Sequence, residues 1–233
     1  MEVVKISIAD NIKIIRENVN QAIIDSDRKD DVKIIAVTKT ISAPFIEQAL
    51  NEGMLDIGEN KVQELLEKMD IFKDRPYYHM IGYLQSNKVK YIVKDIHLIH
   101  SLDRVSLAKE INKRAKKINR TIDCLIQVNI SEEESKFGIK EEEVIPFIEK
   151  LLLYPYIKVK GLMTIAPFTQ EEKIIRQTFS GLYELNEKIK SRNYKELDME
   201  FLSMGMTNDY KIAIEEGSNM VRIGTAIFGK RNY

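Results

Sequence analysis

Eight short apolar runs, separated by charged segments of helical periodicity, constrain this 233-residue chain more than any other feature. KIIAVT, from Lys33 to Thr38, is the first, a β-branched run of the kind that fits a buried strand. Ser42, Pro44 and Glu47 behind it signal a helix start. LDIGE around Ile57, YYHMIG around His79 and HLIHS around Ile99 repeat the pattern. TIDCLIQVNI, IKVKGLM, MEFLSMG and NMVRIG bring the count to eight, with helical segments starting near Glu141, Glu171 and Asp209. Strands that alternate with helices pair in parallel through right-handed crossovers, and closing the sheet removes both of its edges. The expected fold is therefore a TIM (β/α)8 barrel of α/β class, with a doubly wound open sheet as the alternative. Ile8, Ile12, Ile15, Val19 and Ile23 add an amphipathic helix from Ile8 to about Asp27, ahead of the first strand. No Pro/Gly/Ser-rich linker interrupts the sequence, so one domain over residues 1–233 is expected.

Charge and cysteine content narrow the function classes. Thirty-six Lys and Arg balance 36 Asp and Glu, so no global field recruits nucleic acid or an anionic membrane. The basic stretch AKEINKRAKKINR, from Ala108 to Arg120, lacks interleaved aromatic residues for base stacking and reads as a solvated helix face. Cys124 is the only cysteine, sits in an apolar run and suits a reducing compartment; with no apolar leader or membrane-length run, a cytoplasmic protein is expected. GxGxxG is absent, which argues against a dinucleotide. His97 and His100 fall on opposite sides of a strand and have no completing ligands in their spacing, so no metal site is expected.

Barrels of this kind place their chemistry at the carboxyl ends of the strands. Lys39 closes the first. An amine beside an apolar barrel mouth loses hydration, and desolvation favours the neutral, nucleophilic form that attacks an aldehyde; the plain alternative is a solvated lysine at a strand end. On the last strand, VRIGTAIFG puts Arg222 and Gly224 on one face, with Thr225 at the rim and Ser203 of LSMG beside them. Glycine-turn N–H groups and a threonine hydroxyl make a phosphate cradle, a common use of strands seven and eight. Arg222 inside a barrel wall requires an acceptor, either a core carboxylate or an aromatic or anionic ligand. Lysine, arginine and cradle together outline a flat, phosphorylated aldehyde, and pyridoxal 5'-phosphate (PLP) fits it. An arginine at the pyridine nitrogen disfavours protonation there and weakens the ring as an electron sink.

These motifs carry a resemblance. IIAVTK ending at Lys39, GENKVQE from Gly58, HMIGYLQSNK from His79, SLDR from Ser101, QVNISEEESKFG from Gln127, GLMTIAP from Gly161 and LSMGMTNDYKIAIEEGSNMVRIGTAIFG from Leu202 resemble the pyridoxal phosphate homeostasis protein family, of the YggS or PROSC type. The resemblance implies a barrel of the alanine racemase N-terminal-domain type, with PLP held as a Schiff base on Lys39 and Arg222 facing the pyridine nitrogen. It places the phosphate near Ser203, Gly224 and Thr225, Asn60 near the ring, a backbone contact at Met204, and His79 along the pocket. Lys61, Tyr83, Thr207 and Asn219 depart from the residues expected of the family at those positions.

The same resemblance implies a protein of vitamin B6 and amino-acid homeostasis without established catalysis, monomeric, with PLP-dependent apoenzymes as its partners. A small PLP-dependent amino-acid racemase is the alternative. It needs a base on each face of the ring, which racemases of this fold take from a further domain, and the sequence stops eight residues after Thr225. A Schiff-base aldolase, colourless when purified, is a third reading.

Overall fold

The computed structural model describes residues 7–131, 133 and 137–229. Its order is α1 (Ile8–Asp25), β1 (Lys33–Val37), α2 (Ala43–Asn51), β2 (Asp56–Glu59), α3 (Val62–Phe72), β3 (Tyr77–Met80), α4 (Val89–Ile92), β4 (Leu98–Leu102), α5 (Val105–Lys117), β5 (Ile122–Gln127), α6 (Val144–Leu151), β6 (Ile157–Met163), α7 (Glu172–Lys190), β7 (Phe201–Met206), α8 (Tyr210–Glu215), β8 (Met220–Ile223) and α9 (Thr225–Phe228). The strands close in sequence order into an eight-stranded parallel barrel. The open-sheet alternative is excluded, because β1 pairs with β8 in the register Ile35↔Arg222 and Ala36↔Ile223. Among the described residues no helix is long and apolar enough to cross a membrane. Of the QVNISEEESKFG motif, residue 132 and residues 134–136 lie outside the described part.

Strand alternation sorts the apolar side chains into two sets. Ile35, Leu98, Leu125, Met163 and Met220 form a compact cluster of their own, while a larger cluster between strands and helices includes Ile57, Met80, Ile99, Ile126, Leu162 and Leu202. In α1, Ser7 and Asp10 cap the first turn reciprocally, and Ile8, Ile12, Ile15, Val19 and Ala22 are buried. That stripe belongs to a third cluster with Val221, Ile223, Tyr210, Ile214 and Ile227, so α1 covers the seam where β8 meets β1. Full burial of such side chains stabilises by about 1.5–3 kcal/mol each, as an upper bound. The seam is held by packing as well as by its ladder.

Two glycines are forced by close approach. A Cβ on Gly161, whose φ is +143°, would lie 1.9 Å from the Phe201 carbonyl oxygen, so β6 can pass β7 only without a side chain there. At Gly82, just past β3, a Cβ would lie 2.4 Å from the Asn60 carbonyl oxygen. Gly82 therefore lets the β3 loop press against the loop after β2, which positions Asn60 at the rim.

Candidate functional site

Lys39 lies two residues past the end of β1, after Thr38, and is half-buried. Its neighbours on both sides are anchored. Before it, the Thr38 carbonyl accepts from Lys68 Nζ at 2.7 Å and the Thr38 hydroxyl donates to Glu59 Oε1 at 2.5 Å. Lys68 also forms an ion pair with Glu59 in which both side chains are buried. Burial pushes the Glu59 carboxyl up although Lys68 and Thr38 pull it down, and Glu59 Oε2 has no partner among the described residues. After it, Thr40 sits at φ +62°, an uncommon conformation for a β-branched residue, with its N–H donating to Glu64 Oε2 at 2.7 Å. These bonds from β2 and α3 fix the backbone on either side of Lys39, so its side chain leaves from a held base.

Across the seam, β8 brings Arg222 and Gly224 beside the end of β1. A Cβ on Gly224 would lie 3.2 Å from the Val37 carbonyl oxygen, two residues before Lys39. Gly224 leads into Thr225, which is exposed and opens α9. Thr207, on the turn after β7, has its hydroxyl oxygen 3.4 Å from the Ala226 nitrogen. Asp209 Oδ1 accepts from the Met206 N–H at 2.5 Å and closes that turn. Gly224, Thr225 and Thr207 therefore share one corner of the mouth, and Thr207, noted in the sequence only as a departure, belongs to it.

Arg222 is 3 % exposed. Its Nη1 donates to the Ser203 carbonyl oxygen at 2.6 Å and to Ser203 Oγ at 2.7 Å, and its Nη2 to the Thr164 carbonyl oxygen at 2.8 Å. Two of its five N–H bonds are left without an acceptor among the described residues. Burial pushes the guanidinium down to about 10, with Asp209 acting the other way, so it stays charged at neutral pH.

Ser203 occupies a different place from the one its sequence position suggests. It lies inside β7, which runs on to Met206, and is fully buried. Its hydroxyl is engaged by Arg222 and by His100 Nδ1 at 3.0 Å. Met204 is buried too, with its carbonyl accepting from Ser218 Oγ at 2.8 Å.

The Ser203 contact continues through the barrel. His100 Nε2 lies 2.9 Å from His79 Nδ1, and His79 Nε2 lies 2.9 Å from Asp56 Oδ1 at the opposite, amino-terminal face. The ends assign the protons: a guanidinium only donates, and Asp56 is held in its carboxylate form by His79 and Lys33 against its own burial. Arg222 thus donates to Ser203, Ser203 to His100, His100 to His79 and His79 to Asp56. Burial holds the pKa of both imidazoles below the ordinary histidine value, so the string carries a cation at one end and an anion at the other. His79, expected along the pocket, lies beneath it instead.

Tyr83 stacks on Phe137 with ring centroids 4.6 Å apart, and the Arg104 guanidinium carbon lies 4.5 Å from the Tyr83 ring centroid. The substitution at Tyr83 thus ties the β3 loop to the segment after β5. Asn219, the other departure, accepts from the Leu202 N–H at 2.8 Å through Oδ1 and donates to the Glu200 carbonyl oxygen at 2.7 Å.

Comparison with known proteins agrees with this architecture. The family model described as "Alanine racemase, N-terminal domain" matches residues 7–232. The pyridoxal phosphate homeostasis protein of Aquifex aeolicus is 45 % identical over 202 residues, spanning 86 % of this chain and 88 % of its own. That of Pasteurella multocida is 38 % identical over 231 residues, spanning 97 % and 99 %. A solved structure of PipY from Synechococcus elongatus PCC7942, with PLP bound, superposes with a TM-score of 0.84 at 28 % identity and covers 96 % of this chain and all of that one.

Proposed function

The chain belongs to the alanine racemase N-terminal-domain family, and from its near-full-length likeness to the pyridoxal phosphate homeostasis proteins we propose that it binds PLP at the carboxyl-terminal mouth of the barrel and serves PLP homeostasis. The observation that carries this reading is the pairing of β1 with β8, which brings Gly224 against Val37, two residues before Lys39, with Arg222 in the same strand pair.

When bound there, PLP would supply an aldehyde, the electrophile that a primary amine can hold covalently. Lys39 provides the amine, from a backbone held by Lys68 and Glu64. The N–H groups and hydroxyls of Gly224, Thr225 and Thr207 bind the phosphate. Arg222 has N–H bonds to spare and would offer one to the pyridine nitrogen, favouring its unprotonated form. Asn60 orients the ring from the rim. Ser203 contributes by holding Arg222 and Met204 by shaping the wall, a reassignment of both from direct ligands that rests on their burial and hydrogen bonds.

With a cation against the pyridine nitrogen the ring would be a poor electron sink, so a holding role without turnover fits these residues better than racemisation. PLP-dependent apoenzymes are the matching recipients, a monomer the working unit and the cytoplasm the compartment, the last supported by the buried free Cys124.

Borohydride reduction of protein loaded with PLP tests the assignment. The expected result is a mass increase of one reduced cofactor mapped to a peptide containing Lys39 and absent in Lys39→Ala. A label on another lysine, or an undiminished label in the variant, would overturn it.

A further inference from the structure

The amino-terminal face of the barrel, opposite the mouth, carries a second group of chemistry-bearing residues. Asp56 on β2, His79 on β3 and His97, just before β4, come from three neighbouring segments, and their ligand atoms all lie within 4.8 Å of one another. The side chain of His79 is fully buried and that of Asp56 15 % exposed, while His97 is open to solvent. The His79 and His97 rings are 5.3 Å apart, and Tyr77 packs against His97 at 4.9 Å.

We propose that Asp56, His79 and His97 bind a divalent transition cation of the zinc class on the face of the barrel opposite the cofactor mouth. Two imidazole nitrogens and one carboxylate are a donor set that such cations take, with water completing the shell. Zinc bonds of about 2.0–2.2 Å place tetrahedral ligands roughly 3.3–3.5 Å apart. The pair His79 Nε2 and Asp56 Oδ1, at 2.9 Å, is near that spacing, and the exposed His97 closes the remaining distance by rotating inward.

The surroundings fit a metal ligand in a further respect. Metal-binding histidines almost always use their second ring nitrogen to hold a fixed partner, and His79 Nδ1 is already 2.9 Å from His100 Nε2. Lys33 is the opposing group, with Nζ 3.4 Å from Asp56 Oδ1. Its side chain is 36 % exposed, so the ammonium can swing to water when a dication takes its place beside the carboxylate. Asp123 and Arg120 also act on His97, with opposite signs. A groove of about 600 Å3 lined by Arg16, Lys33 and Asp56 opens beside the carboxylate and gives an approach.

Coordination has a consequence inside the barrel. A cation on His79 Nε2 moves the ring proton to Nδ1, so His79 becomes the donor to His100 and His100 the donor to Ser203, directly beneath Arg222. The protonated nitrogens of both rings are thus exchanged.

The test is titration of tag-free, cofactor-free protein with Co2+ and Zn2+, which keeps it separate from the PLP reading. One equivalent of Co2+ should bind and develop visible bands of low-symmetry coordination. His97→Ala should weaken binding by at least about tenfold, while Lys33→Gln should strengthen it. In 15N spectra of histidine-labelled protein, the His79 and His100 nitrogens should exchange their protonated positions when Zn2+ is added. Both variants are at solvent-accessible side chains, so folding is not at stake. Binding unchanged by both substitutions, no binding, or unmoved His79 and His100 nitrogens would overturn the proposal.

Discussion

Arg222 is bonded to Ser203 twice, with one nitrogen of the guanidinium donating to the serine hydroxyl at 2.7 Å and to its carbonyl oxygen at 2.6 Å. A buried cation in a barrel wall needs such acceptors, because leaving its donors unmet costs far more than the net value of each bond. The arrangement locates the guanidinium before any ligand arrives.

Removing the hydroxyl should therefore loosen Arg222 without displacing it. Ser203→Ala is expected to lower stability by about 1–3 kcal/mol, since the carbonyls of Ser203 and Thr164 still accept. Urea unfolding of cofactor-free protein measures it, and an unmoved midpoint would show that the hydroxyl bears no share of the charge.

Lys68 has a larger effect, because it compensates Glu59 in an ion pair with little solvent on either side. Lys68→Met should cost about 3–5 kcal/mol by stranding that carboxylate. Adding Glu59→Gln should recover a large part of the loss, and a double-mutant cycle by chemical denaturation gives the coupling. Purely additive losses would contradict the pairing.

His100 gives the stability a pH dependence of known sign. Burial depresses its folded pKa well below 6.5, so under pH 6.5 the unfolded chain gains a proton that the folded chain refuses. The contribution is full above about pH 6.5 and is lost as pH falls toward the folded value. His79 and His97 act with the same sign, whereas Glu59, raised by burial, loses its contribution as pH rises from 4.5 toward its folded value. In EDTA, the stability advantage of the natural protein over His100→Asn should narrow between pH 7.5 and 5.5, by up to about 1.4 kcal/mol per pH unit. A constant gap across that range would refute the assignment.

Cys124 is a reporter of global opening. It is fully buried, and burial drives its thiol far above the ordinary range. A thiol reagent should leave the native protein unmodified and react with one equivalent in denaturant. Rapid native labelling would show that β5 opens locally.

The barrel was legible because β-branched runs of strand length recur between helical segments, and each expected strand is found within a few residues. The end of β7 was not: Ser203 reads as a strand terminus, yet the strand continues to Met206, past a register shift against β8 and Gly205 at φ +93°. The corner at the mouth therefore falls to Thr207. His97 was weighed against His100 by spacing along one strand, whereas its neighbour is His79 on β3. That contact depends on pairing between strands, His79↔Leu98, which no spacing along the chain encodes.

Closure of β8 onto β1 also makes the proposed ligand pocket depend on the whole barrel. One wall of it comes from the first strand of the barrel and the other from the last, so neither end of the fold holds the pocket alone. Ligand binding at that seam would therefore report on whether the barrel has closed: loosening the β1–β8 pairing would weaken affinity even with every pocket residue intact.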